Sequence, residues 1–253
     1  SGAVIGPLLA SVLMLALAND FRSVFWIAVL PGLLSVALLA FGLREPAPRA
    51  EAGHPAAAPW SRKTLTRLLR ATGPVVALGA VFTLARFSPA FLVLRAGQAG
   101  VPVALVPLLV VAMNAVQAAS SYPVGRLSDR IGPARLLAAG MGCLVASDIV
   151  LALAGDGVSV LAGVVLWGLH MGLTQGLFAA LVADAAPAAL RGTAFGLFNL
   201  VTGVALLAAS VVAGGLWDAI GPAATFVAGG AFAAAAGIGV AFIAPAAQQG
   251  RHA

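Results

Sequence analysis

A chain of 253 residues that is 61% hydrophobic and only 9% charged cannot wet its whole surface, since soluble domains carry about 25% charged residues. Its mean hydropathy of +1.05 makes lipid the solvent for most of the chain. The net charge of +6 does not point to nucleic acid, because the basic residues lie between apolar runs rather than clustered on a polar face.

Each crossing of a hydrocarbon layer about 30 Å thick needs about 20 mostly apolar residues. Such runs fall at 2–18, 23–43, 72–94, 102–122, 136–155, 158–183, 193–214 and 222–244. They are too long for strands and lack period-two alternation. Helices also satisfy their own backbone groups in lipid. The expected fold is therefore all-α and membrane-integral, with eight spanning helices. The chain starts Ser1-Gly2 directly in an apolar run, with no charged leader or small-residue cleavage site, and reads as a cut through a larger protein.

The connections alternate in character. Short turns lie around Asn19–Arg22, Arg95–Val101, Asp156-Gly157 and Trp217–Gly221. The opposite side holds 44–71, 123–135, 184–192 and the tail from Pro245. That side carries eleven cations: Arg44, Arg49, Arg62, Lys63, Arg67, Arg70, Arg126, Arg130, Arg135, Arg191 and Arg251. The first side carries two, Arg22 and Arg95. Lys and Arg accumulate on cytoplasmic loops, so 44–71 is expected in the cytoplasm. Its first half, with Pro46, Pro48, Pro55 and Pro59, reads as a flexible linker. Its second half, with Leu65, Leu68 and Leu69 between cations, reads as a short amphipathic helix on the inner leaflet. The expected organisation is two helices (1–43), a linker (44–71), a six-helix bundle (72–244) and a cytoplasmic tail (245–253).

The segment Gly125-Arg126-Leu127-Ser128-Asp129-Arg130-Ile131-Gly132-Pro133-Ala134-Arg135 resembles the signature loop of the major facilitator superfamily, whose pattern is Gly-x-Leu-(Ala/Ser)-Asp-Arg-x-Gly followed by basic residues. Here Arg135 alone supplies the basic end. Asp129 is suited to accept backbone N–H bonds at a helix start or to pair with arginine. Gly132 and Pro133 turn the chain into the next helix. Pro187–Gly196, with Arg191-Gly192, looks like the family's loop before its next-to-last helix. Gly2-Ala3-Val4-Ile5-Gly6-Pro7 looks like the antiporter signature of the fifth helix, with Leu9-Ala10 where a glycine pair often follows. The resemblance implies helices five to twelve of a twelve-helix transporter: the last two of the N-terminal bundle and the whole C-terminal bundle. Asp129, Arg130, Asp184 and Arg191 would then form a charge cluster holding one conformation closed.

Ionisable groups inside the bilayer cost about 2.5–3.5 kcal/mol each on insertion scales. Arg86, Asp148 and His170 stand mid-run. The resemblance places Arg86 and His170 on helices that line the central cavity. The alternative for Arg86 is a structural ion pair with Asp148, which also stands as a candidate for ion coupling. His170 is either a proton carrier or a buried ring bonded to Thr174. Pro89 removes a backbone bond beside Arg86 and is expected to kink the helix. Asn114, Gln117 and Ser121 share one helix face, as do Asn199 and Thr202. Each set either lines the cavity or bonds between helices. Gly168, Gly172 and Gly176 form a stripe suited to close helix packing. Cys143 is the only cysteine, and no ligand-spaced set of His, Cys or carboxylates stands near His170, so neither a metal nor a cofactor is expected.

Paired catalytic carboxylates, a nucleophile elbow and a zinc motif are all missing from the sequence, so no enzyme is expected. The expected function is a secondary active transporter moving a small molecule by alternating access, with proton-coupled efflux as the first reading and metabolite uptake or exchange as the second. A membrane-embedded enzyme, a channel or a non-transporting scaffold are the outside alternatives. The expected partners are a small-molecule substrate, protons as coupling ion and the lipid bilayer, without nucleic acid. The full-length protein is expected to be monomeric and multi-pass in a bacterial inner membrane.

Overall fold

The protein is described by a computed structural model over residues 2–17, 20–42 and 61–249. The expected linker up to residue 60 and residues 250–253 of the tail lie outside the described residues. The described helices are α1 (Gly2–Ala16), α2 (Phe21–Ala37, extended by a π-helical turn Leu38–Gly42), α3 (Arg62–Leu84), α4 (Ala90–Gln98), α5 (Val106–Ile131), α6 (Pro133–Leu153), α7 (Gly157–Ala185), α8 (Arg191–Ala219) and α9 (Pro222–Gln249). The fold is all-α, and no strand occurs among the described residues. Five of these segments are long and apolar enough to cross a membrane: Arg62–Leu84, Val103–Ser128, Pro133–Leu153, Gly157–Ala185 and Ala188–Ala219. Arg22–Ala37 and Pro222–Ile238 are shorter apolar helices.

Four expected boundaries are corrected. The run 72–94 is two helices, α3 and α4, separated at residues 85–89. The ring of Pro89 would strike the carbonyl of Ala85, and the residue before a proline avoids the helical region, so the chain stops rather than kinks. The amphipathic stretch at 65–70 is the first part of a continuous α3 rather than a separate surface helix. The expected loop 123–135 is helical through Ile131, and α9 runs past Pro245 to Gln249. Hydropathy marks where lipid ends, whereas a helix ends only where something breaks it. After α5 the breaker is Gly132, whose φ of 84° suits only a residue without a side chain; Pro133 then starts α6 at a position where its missing N–H costs nothing.

α6 packs along α9 and α7, α5 along α7 and α1, and α3 along α8. Aromatic rings fill the centre: Phe87 meets Phe91, Trp167 and Phe226 at centroid separations of 5.2, 5.3 and 5.4 Å. The predicted glycine stripe divides. A methyl on Gly168 would lie 2.5 Å from the Met113 carbonyl oxygen, and one on Gly172 would overlap Ser120 and the Gln117 backbone, while Gly176 faces open space. Two of the three glycines thus set the α5–α7 spacing.

The short turns are well satisfied. Asp156 caps α7 in a capping box with Ser159; the Ser159 backbone N–H bond holds its carboxyl below the usual range. Arg95, expected only as an outer-loop cation, donates from Nε to the Leu151 carbonyl at 2.9 Å and from Nη2 to those of Ala154 at 2.6 Å and Ala152 at 3.4 Å. A cation there closes the C-terminal end of α6, where carbonyls lack partners and the helix dipole is negative.

Because the Met113 carbonyl is backbone and cannot swing aside, Gly168→Ala is expected to lower stability by about 1–3 kcal/mol. Gly176→Ala is expected to leave the unfolding midpoint unchanged or raised. Thermal unfolding in detergent measures both.

Candidate functional site

The break between α3 and α4 turns neighbouring side chains in opposite directions. Phe87 enters the aromatic core, 4% exposed, and Arg86 turns to a cavity between α3, α7 and α8. Backbone groups freed by the break find local partners: Arg86 N–H donates to the Thr83 carbonyl at 3.2 Å and Phe91 N–H to the Ser88 carbonyl at 3.1 Å. Ser88 N–H reaches the Ser210 hydroxyl on α8 at 3.2 Å. The sequence carries no signal for this last bond, because Ser210 lies 122 residues away and is one small polar residue in an apolar helix.

The cavity encloses about 250 Å³. Its polar lining comprises Arg86 and Thr83 beside the break, His170, Thr174 and Gln175 on α7, and Asn199 and Thr202 on α8. Phe82, Phe178 and Phe198 give it an aromatic side; Phe82 and Phe178 pack edge-on at 5.0 Å. Gly79 lets Phe198 lie directly against the α3 backbone.

His170 is 1% exposed, and its Nδ1 lies 2.8 Å from the Gly140 carbonyl oxygen of α6. A carbonyl only accepts, so Nδ1 carries the proton and Nε2 is left to the cavity. Of the two readings for His170, the bond between its ring and Thr174 does not form. The Thr174 hydroxyl instead donates to the His170 carbonyl at 2.9 Å, the usual turn-back bond of a helical threonine. Gln117 Nε2 donates to Gln175 Oε1 at 2.6 Å, joining α5 to α7. Ser121 donates to the Gln117 carbonyl at 2.6 Å, and Asn114 lies on the same α5 face one turn earlier. Thr202 donates to the Phe198 carbonyl of its own helix.

The ion pair between Arg86 and Asp148, the alternative reading for Arg86, is not formed. Asp148 is 0% exposed on α6, and neither carboxylate oxygen has a hydrogen-bond partner. It sits in a slot left by Gly229-Gly230 of α9. A methyl on Gly229 would lie 3.0 Å from Asp148 Oδ2 and 2.8 Å from Phe87 Cε1. Phe87, the sequence neighbour of Arg86, borders the same slot. The glycine pair reads in sequence as ordinary small-residue packing, which is why its relation to Asp148 is not visible there.

The signature residues stand at the other end of the bundle. Gly125, Asp129 and Arg130 belong to the last two turns of α5, so Asp129 does not stand at a helix start; its side chain lies outside the described residues. Arg135 is in the first turn of α6, Asp184 near the end of α7, and Arg191 and Gly192 open α8. Arg130, Arg135, Asp184 and Arg191 are exposed. Arg126 lies over the Tyr122 ring at 5.7 Å. Gly2, Gly6 and Pro7 lie within α1, which packs on α5 with Ser11 and Met14 buried.

A polytopic bundle of long apolar helices, one of them broken beside a polar cavity, is the architecture of a membrane-embedded helical protein. The sequence matches the family model of the Major Facilitator Superfamily over residues 1–207 and again over 75–252, and the chain belongs to that family. It is 32% identical over 253 residues to an uncharacterised MFS-type transporter of Methanocaldococcus jannaschii, a match covering 96% of this chain and 61% of the relative. Uncharacterised proteins of Mycobacterium bovis and Mycobacterium tuberculosis are 26% identical over 227 residues, covering 86% of this chain and 53% of theirs. The chain therefore spans between half and two thirds of the length of these relatives.

The two accounts of Asp148 predict opposite signs. Removing one member of a buried ion pair costs about 3–5 kcal/mol. An unsatisfied buried polar group instead carries a penalty of about 1–3 kcal/mol, larger than the small void a truncation leaves. Asp148→Ala is therefore expected to raise the thermal midpoint, as measured by unfolding in detergent.

Proposed function

We propose that this chain carries the solute cavity of a secondary active transporter that moves a small molecule by alternating access, in proton-coupled efflux. The observation that carries the reading is the polar cavity at the α3–α4 break, where an arginine faces the space with no carboxylate paired to it among the described residues. Such a cation is costly in the bilayer unless it has work there. Its fork of donors matches a carboxylate or phosphate group on the solute, with His170 Nε2, Asn199 and Gln175 supplying further hydrogen bonds. The aromatic side takes the apolar part of the same molecule. Ligand and proton each shift the balance between inward- and outward-facing states by their differential affinity.

Asp148 is the candidate proton carrier. A buried carboxylate without partners weakens the fold, which gives it a reason to be there other than stability. Phe87 links it to the cavity, since that ring touches the Asp148 slot and is the immediate neighbour of Arg86. The charge cluster of Asp129, Arg130, Asp184 and Arg191 is the candidate gate at the cytoplasmic end. Efflux rather than uptake rests on the antiporter-like Gly2-to-Pro7 segment. The second reading, uptake or exchange of an anionic metabolite, rests on the unpaired Arg86.

The test is transport by the chain in liposomes, with labelled small organic acids and organic cations, under imposed pH gradients. An acid-inside gradient is expected to drive accumulation, with Arg86→Gln lowering the rate for acids on the order of tenfold or more. Asp148→Asn is expected to leave gradient-free exchange intact and remove gradient-driven accumulation. Accumulation driven only by an acid-outside gradient replaces efflux with uptake. Failure to accumulate any solute under either gradient sinks the transport reading.

A further inference from the structure

The first nine residues of α3 carry four cations, Arg62, Lys63, Arg67 and Arg70, and no acid. All four are exposed, and among the described residues none is ion-paired. At 3.6 residues per turn they cover a stripe about 140° wide, with Arg62 and Arg67 at its edges. Leu68 points almost directly away from that stripe. It is 2% exposed and packed with Val182, Ala186 and Ala194, so the direction of the cations is fixed by a core anchor and not by chance rotation. The four cations, with Thr66 and Ala71, wall an open groove of about 660 Å³.

Apolar surface continues from this groove. Leu65 and Leu69, each 45% exposed, adjoin its Arg62 edge. Further along the cationic face of α3 come Pro74, Ala77, Val81 and Leu84, all exposed, with Val81 at 47% and Leu84 at 42%. The part of α3 from Ala71 to Leu84 rises about 21 Å, more than half of a hydrocarbon layer of about 30 Å. With the α3–α4 break inside that layer, the basic turns that precede Ala71 lie at headgroup depth while the apolar strip stays among acyl chains. A soluble anion would satisfy the cations and leave the leucines and the strip unused. A ligand that joins negative charge to an adjoining apolar chain uses both.

We infer that the N-terminal turns of α3 form a binding site for an anionic phospholipid of the cytoplasmic leaflet. The phosphate lies in the groove of Arg62, Lys63, Arg67 and Arg70, and an acyl chain lies along Leu65, Leu69 and the strip from Pro74 to Leu84. The site is separate from the cavity and does not depend on the transport reading.

The test compares retention of phosphatidylglycerol and phosphatidylcholine of identical chains by the purified, detergent-solubilised chain, using native mass spectrometry and thermal midpoints. Inorganic phosphate and glycerol 3-phosphate form the soluble arms. Phosphatidylglycerol is expected to be retained at least tenfold better than phosphatidylcholine and to raise the midpoint, while the soluble arms change nothing. Each cation near an anionic lipid surface contributes about fivefold, so Arg67→Gln with Arg70→Gln is expected to lower retention about 25-fold. Arg67→Lys with Arg70→Lys is expected to keep most of it, which separates loss of charge from loss of fold. Arg126→Gln with Arg191→Gln removes two cations from the same end of the bundle and is expected to leave retention within twofold. Equal retention of the two lipids, an equal loss in the Arg126/Arg191 variant, or an equal midpoint shift from glycerol 3-phosphate would overturn the proposal.

Discussion

Inside a bilayer no water completes an unfinished helix, so backbone can leave the helical path only where protein takes up the freed groups. The interruption at residues 85–89 obeys that constraint, and much of the interior depends on it. Ser210 on α8 receives the Ser88 N–H, the Thr83 and Ser88 carbonyls close the two helix ends, and the rings around Phe87 exclude lipid. An unbroken helix here would carry Arg86 and Phe87 about 100° apart on one smooth surface. With the break, the guanidinium faces a polar space and the ring fills the centre of the bundle.

Close approach is the second constraint, and it is carried by residues without side chains. Gly168 and Gly172 bring α7 against α5, Gly140 brings α6 against α7 near Thr174, and Gly79 admits Phe198. These contacts leave His170 no partner except the Gly140 carbonyl, and so fix which ring nitrogen faces the cavity. The same economy at Gly229-Gly230 makes the slot for Asp148, but among the described residues nothing there offers a hydrogen bond. Small residues therefore satisfy one buried ionisable group and strand another.

Much of the architecture is legible in hydropathy alone, because burying a charge in lipid is so costly that spanning runs announce themselves. The same contrast singles out Arg86, His170, Asn199 and Thr202, which line one cavity. Hydropathy is silent where polarity and helix geometry part company. It ends α5 at Tyr122 although the helix runs on through Pro123 to Ile131, and it joins α3 to α4 although the chain leaves the helix at residues 85–89. Phe82, Phe178 and Phe198 are invisible as cavity residues, since a ring facing a cavity and a ring facing the core are the same letter. The isolation of Asp148 was likewise beyond reach: two opposite charges at similar depth suggest a pair, and only packing shows the carboxyl in the Gly229-Gly230 slot without a partner.

Arg95 has a mechanical consequence. Its guanidinium binds three carbonyls at the end of α6, while its backbone belongs to the last turns of α4. The short outer helix is thereby moored to a neighbour that packs along both α7 and α9, whereas α3, on the far side of the unwound residues, leans chiefly on α8. A swing of α3 would accordingly pivot at residues 85–89 and reshape the cavity wall without dragging its outer stub along.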